Sequence, residues 1–151
     1  MEHKILQSIE KSVLCWLATA NELGVPNVSP KELFLYGGNN NLLIANIASP
    51  VSVKNIGLNS KVCVSFVDVF EQRGFKIIGT ATVLKCGDNK FQGYLAMLRV
   101  LADERFPIQG IIEVEIEETA SIKAPSYFLF PDLTVEQQIQ SGLKTYGVYR
   151  K

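Results

Sequence analysis

Five side chains between residues 29 and 54 have the types and spacing to hold an anion: Ser29, Lys31, Ser49, Ser52 and Lys54. Ser49 and Ser52 sit at a strand-to-helix turn, where residues 42–47 (LLIANI) read as a strand and Ser49-Pro50 as a helix start. A serine hydroxyl at the N-cap accepts from a backbone N–H two or three residues on. Proline at the first helical position gives up an N–H that has no intrahelical partner there, and it pushes Ser49 towards the extended dihedrals of a cap. An open helix start with two hydroxyls beside it suits a phosphate, because free N–H groups and the positive end of the helix dipole face one point. Helices also begin this way with no ligand.

The chain before that helix carries a lysine towards it. Residues 25–36 (VPNVSPKELFLY) read as one strand and residues 37–41 (GGNNN) as a turn, so the strands on either side form a hairpin. A turn centred on Asn39 puts Tyr36 opposite Leu42, Lys31 opposite Ile47 and Ser29 opposite Ser49. Antiparallel partners stand about 4.5–5.5 Å apart at Cβ, which places Lys31 beside the helix start. Lys54, inside the helix, leans back towards the same point because helical side chains tilt N-terminally. A one-residue slip turns Lys31 to the other face, where it is an ordinary solvated lysine.

Bulk properties bound what such a site could serve. A length of 151 residues is most simply one domain, 1–151. Fifteen basic and fifteen acidic residues give zero formal net charge, which argues against a nucleic-acid binder working by bulk phosphate neutralisation. The same balance favours neither an acidic substrate nor an anionic membrane. With no signal-peptide-like segment and no apolar run of spanning length, a cytoplasmic protein off the membrane is expected. Cys15, Cys63 and Cys86 are far apart and odd in number, and His3 is the one histidine. No metal site of protein ligands and no Cys/His nucleophile is expected, and the thiols read as reduced and mostly buried.

The remaining elements follow from periodicity. Residues 2–12 place Ile5, Leu6 and Ile9 on one face of a short helix, and residues 13–20, with Trp16, read as a buried strand. Pro30 marks an edge, a bulge or a place where something other than a strand lies alongside, and Gly79, inside a strand over 75–85, a bulge or a close approach by another backbone or a flat ligand. Residues 61–69 give another strand, and 88–106 a helix capped by Asp88. In the strand over 108–123, Glu113, Glu115 and Glu117 alternate with apolar residues and read as one wet face. Thr134-x-x-Gln137 is a capping-box pattern opening a last helix that ends near Gly142 or Gly147. The sum is mainly β: six or seven antiparallel strands closing into a small barrel with short flanking α-helices. No GxGxxG or GxxxxGK motif occurs, which disfavours a doubly wound nucleotide fold.

Three quoted stretches then carry a likeness: CWLATANELGVPNVSPKELFLY at 15–36, LLIANIASPVSVKNIGLNSKVCVSF at 42–66 and FKIIGTATV at 75–83. In their order and spacing, over residues 13–84, the sequence resembles the FMN-binding split-barrel family typified by pyridoxamine 5′-phosphate oxidase. The resemblance implies a split β-barrel and a homodimer with FMN at the subunit interface. It implies that Ser29, Pro30 and Lys31 run along the flavin ring and ribityl chain. It implies that the segment of Asn46, Ile47, Ala48, Ser49, Ser52, Val53, Lys54 and Asn55 holds the phosphate. Residues 73–76 and 125–131 are the stretches whose position and aromatic content suit a cover for the flavin.

The chain departs from that pattern in two places. Val51-Ser52 stands where the vitamin oxidases carry an Arg-Lys pair. Their C-terminal arginine and histidine substrate motif has no counterpart in residues 134–151, so the resemblance does not extend to pyridoxamine phosphate oxidation. The leading expectation is an FMN-dependent oxidoreductase exchanging hydride or electrons with NAD(P)H or a small-molecule substrate. The expectation from another class is a non-catalytic module that binds, stores or senses a flavin, a deazaflavin or haem. No protein acid or base is nominated.

Overall fold

The computed structural model describes residues 3–149. Met1, Glu2, Arg150 and Lys151 lie outside the described residues, and with them the expected helix start at Glu2 and the last two residues of the expected domain.

The chain forms α1 (His3–Lys11), β1 (Cys15–Ala20), β2 (Pro26–Lys31), β3 (Phe34–Gly38), β4 (Asn41–Asn46) and α2 (Pro50–Leu58). It continues through β5 (Lys61–Asp68), β6 (Arg73–Leu84), α3 (Phe91–Arg99), β7 (Gly110–Lys123), α4 (Ser126–Leu129) and α5 (Val135–Tyr146). All seven strands join one antiparallel sheet in the order β2-β1-β5-β6-β7-β4-β3. The two edges, β2 and β3, are consecutive in the chain, separated by Glu32 and Leu33, so the sheet curls until they approach each other. Leu33 extends the β3–β4 pairing, Ala45 N donating to Leu33 O at 2.9 Å. The fold is the expected mainly β split barrel, with seven strands. Among the described residues no helix is long and apolar enough to cross a membrane.

The seam corrects one expectation. Residues 25–36 are two strands, not one. Tyr36 does pair with Leu42, but β2 pairs with β1, bringing Lys31 opposite Cys15 and Ser29 opposite Leu17. The pairings of Lys31 with Ile47 and Ser29 with Ser49 therefore fail. The physical reason is that β2 closes a hairpin with β1, and the bend at Glu32 and Leu33 then sends the chain to the other edge.

Two cores flank β4. Leu42 and Ile44 point into the barrel with Leu17, Val64, Phe66 and Ile77, while α1 plugs the barrel with Ile5 and Ile9. Leu43 and Ala45 point the other way, under α3, with Phe91, Leu98 and Ile111. Both faces of β4 are buried, which explains its unbroken apolar run.

The same arrangement overturns the uniform acidic face. Glu113 is buried beneath α3 and accepts from Asn41 Nδ2 at 2.8 Å, Lys90 Nζ at 3.0 Å and Tyr94 OH at 2.8 Å. Glu115 and Glu117 are exposed as expected, Glu117 accepting from Lys61 and Thr80. Helix α3 is shorter than its apolar stripe, and Asp88 does not cap it. The Asp88 carboxylate turns back to the Lys85 amide at 2.6 Å. Trp16 is 46% exposed, because it lies on the outward face of β1 while its neighbours Cys15 and Leu17 point inward. Of the thiols only Cys15 is fully buried; Cys86 is exposed. The Thr134–Gln137 capping box forms in full, and α5 ends at Gly147 with a left-handed φ of 66°.

Gly79 lies at a bulge between β6 and β7, and a Cβ there would stand 2.1 Å from Glu115 O. Gly57, inside α2, has open space around the same position. Gly79→Ala should cost about 2 kcal/mol through this backbone clash. Gly57→Ala should add about 0.5–1 kcal/mol by removing helical glycine entropy. Urea unfolding of the two variants measures both, and equal effects would refute the bulge argument.

Candidate functional site

Edge strand β2 turns Asn27, Ser29 and Lys31 inward and leaves Pro26, Val28 and Pro30 exposed. The inward row faces α2, whose buried residues are Ser52, Asn55 and Ile56. Ser29 Oγ lies 3.1 Å from Ser52 Oγ, and Asn27 Nδ2 donates to Ser52 Oγ at 3.3 Å and to Thr19 Oγ1 at 3.3 Å. Asn55 Nδ2 also donates to Thr19 Oγ1, at 3.1 Å. Ser52 and Asn55 are thus satisfied internally and pin α2 onto β1 and β2. Asn27 and Thr19 were missed from sequence. Asn27 could have been found there, because with Ser29 and Lys31 it repeats every second residue on one strand face.

At the start of α2 a second contact forms. Lys31 Nζ donates to Ser49 Oγ. Lys31 thus reaches the helix start as expected, although by the curl of the sheet rather than by the hairpin register. Ser49 occupies the N-cap position ahead of Pro50, yet its hydroxyl makes no capping bond. It serves the ammonium instead, so the backbone N–H groups of Val51 and Ser52 keep the free state of a helix start. Asn59 ends the helix.

Charge at this spot is unbalanced. Lys31 is only 6% exposed, and among the described residues no carboxylate lies within ion-pair distance of it. Burial lowers the pKa of Lys31, with the neighbouring Cys15 acting in the opposite sense. A buried ammonium held by one hydroxyl lacks the counter-charge that normally makes burial tolerable. Asn46 Oδ1, at the end of β4, is a buried acceptor with no donor among the described residues. One ammonium, one hydroxyl, helix amides and an orphaned acceptor fit a phosphate carried on a hydroxyl-bearing chain. Lys54 is exposed and makes no hydrogen bond among the described residues; Ile47 and Val53 are half-buried around the turn, Ala48 is exposed, and Ile47 packs against the α3 core.

Comparisons with known proteins come to the same fold. A family model described as Pyridoxamine 5′-phosphate oxidase matches residues 1–123. HupZ of Group A Streptococcus superposes with a TM-score of 0.69 at 20% identity, covering 82% of this chain and 95% of that one. An FMN-binding protein from Syntrophomonas wolfei gives 0.68 at 12% identity, covering 80% and 85%. An F420 reductase gives 0.61 at 20% identity, covering 80% and 98%. At these identities the likeness is one of fold. No curated protein sequence matches the chain.

Burial pushes the Cys15 thiol up to about 12, with Lys31 pulling it down. The folded thiol therefore keeps its proton while the unfolded one, at its ordinary value of 9.0, loses it. Cys15 thus contributes stability that is whole below pH 9 and drains away towards pH 12. The stability gap between the protein and its Cys15→Ala variant should narrow by about 2 kcal/mol between about pH 8.5 and 10.5. A gap constant in urea titrations across that range would show that the folded thiol ionises freely.

Proposed function

This chain belongs to the pyridoxamine 5′-phosphate oxidase family, and we propose that it is an FMN-binding flavoprotein oxidoreductase. One observation carries the reading: a buried lysine ammonium with no carboxylate partner among the described residues, aimed at a helix start whose cap serine is turned away. A phosphate there supplies the missing counter-charge and meets the free amides of α2.

In this reading Lys31 Nζ, Ser49 Oγ and the amides of Val51 and Ser52 hold the phosphate, with Lys54 adding charge from the surface. Asn46, Ile47 and Ala48 line the approach, and Asn46 Oδ1, a buried acceptor without a donor among the described residues, would be open to a hydroxyl of the bound group. Ser29 and Pro30 set the strand along which the ring lies. The Ser52 and Asn55 side chains and the adjoining Val53 act by position, keeping α2 where its amides converge. When bound, the flavin supplies the hydride or electron transfer, to or from NAD(P)H or a small-molecule substrate. The chain's part is to bind it, orient it and limit access to it. No protein acid or base enters this scheme, and among the described residues no three metal-ligating side chains cluster.

The reading includes a homodimer. Outward residues Trp16, Val28 and Ile78 are 46%, 58% and 36% exposed. The strand register joins them through Ala18 and Cys63 into one apolar patch on β2, β1, β5 and β6. A second copy covering that patch would flank the flavin site, since β2 carries both. Free thiols fit a cytoplasmic setting. The fold likeness to an F420 reductase favours a deazaflavin as the second reading of the ligand, and a storage or sensing module remains the non-catalytic form of either.

The purified protein should be yellow and release FMN on denaturation, as read by mass spectrometry. Lys31→Met should weaken FMN binding by at least about 100-fold while leaving the urea midpoint equal or higher, because it removes a desolvated charge. A colourless protein that takes up no added FMN would end the proposal; release of a deazaflavin would move it to the second ligand. NAD(P)H oxidation by the holoprotein separates the enzyme from a storage module. Trp16→Glu should yield a monomer by light scattering, and a persistent dimer would exclude this face.

A further inference from the structure

The polar cleft between α1 and the ends of β5, β6 and β7 is separate from the Lys31 seat. Its volume is about 500 Å³, within the range of small-molecule sites. Lys4 and Lys11 reach it from one helical face of α1, and Arg73 and Lys123, paired across β6 and β7, from the strands. Two carboxylates share the cleft, and both are already engaged. Asp68 Oδ1 accepts from the amides of Phe70 and Glu71, each at 2.9 Å, while Glu71 lies 3.4 Å from Arg73 and 3.9 Å from Lys11. Lys4 and Lys123 have no hydrogen-bond or ion-pair partner among the described residues.

In a chain with no net charge, this cleft carries four cations against two anions. Its strand side offers Phe75 and Ile122, both half-buried. Arg73 is also fixed in advance. Its guanidinium lies 5.7 Å from the centre of the Tyr127 ring, and Tyr127 OH donates to Glu71 O at 2.7 Å, which locks the ring. An arginine held against a ring in this way loses little freedom when it takes an oxyanion.

We propose that this cleft binds a small organic anion: a phosphate or carboxylate head on a flat apolar body. Lys4, Lys123 and Arg73 take the head, and Phe75 and Ile122 take the body. The site stands whether or not the helix start of α2 holds a flavin.

Calorimetry with phenyl phosphate, benzoate and inorganic phosphate tests it on the full chain. Phenyl phosphate or benzoate should bind saturably, the tighter of the two naming the head group, and inorganic phosphate should bind at least about tenfold more weakly for want of the apolar body. Lys4→Ala with Lys123→Ala should weaken binding at least about tenfold and leave the urea midpoint unchanged. Lys31→Met should bind the probe as well as the original chain does. Absence of saturable binding, equal binding of inorganic phosphate, or binding lost in Lys31→Met but kept in the double variant would each overturn the proposal.

Discussion

The structure depends on a connection two residues long. Laid flat, seven strands at a spacing of about 4.8 Å would hold the outer two about 29 Å apart. Those outer strands are β2 and β3, and three Cα steps from Lys31 to Phe34 reach at most about 11 Å. The sheet has to roll up. Its interior is then sealed by α1 at one opening, and the seam between the edges falls at Glu32 and Leu33. Lys31 is the last residue before that seam, so closure of the barrel carries its ammonium to Ser49 and into burial. The site and the fold have a common cause.

That placement sets fold and function against each other. A helix start is most stable with its cap serine bonded to its own amides, worth about 1 kcal/mol. Here Ser49 gives its oxygen to Lys31, and the amides of α2 stay open. Lys31 in turn bears desolvation with no carboxylate among the described residues to offset it. Stabilisation comes from the apolar side. Ile56 packs into the barrel core, and the hydroxyls and amides of Thr19, Asn27, Ser29, Ser52 and Asn55 satisfy one another beneath α2. The helix is held firmly by one face so that its N-terminus can remain unsatisfied.

Local signals were readable from sequence where the cause was local. Pro50 starts α2, and Thr134 and Gln137 form their reciprocal cap, because each depends on a few neighbouring residues; Gly79 was readable because a glycine inside a strand marks where another strand, here β7, comes close. The errors came where a distant element decides. Pro30 in VPNVSPKELFLY marks an edge, which β2 is, but Glu32 and Leu33 carry no glycine or proline to show the break; it exists because the two halves belong to opposite sheet edges. Glu113 alternates like Glu115, yet α3 folds over that end of β7 and brings Lys90 and Tyr94 to it. Trp16 lies in an apolar run, but its neighbours, not its own hydrophobicity, choose which face turns inward. The convergence of Lys31 on Ser49 was reached by a wrong register, so only the geometry explains it.

Bulk charge is a coarser guide still. Zero net charge over 151 residues favours neither an acidic substrate nor an anionic membrane, because a sum over the chain contains no information on where charges are compensated. Many of the carboxylates are spent on specific work. Glu113 anchors α3, Glu117 ties β7 to Lys61, and Asp68 folds the β5–β6 turn. Among the described residues, Lys31 at the start of α2 and Lys4 and Lys123 in the cleft have no such partners. Field strength in a recess depends on the few charges lining it and on how little water screens them. A neutral protein can therefore attract anions at chosen points while its surface as a whole attracts nothing.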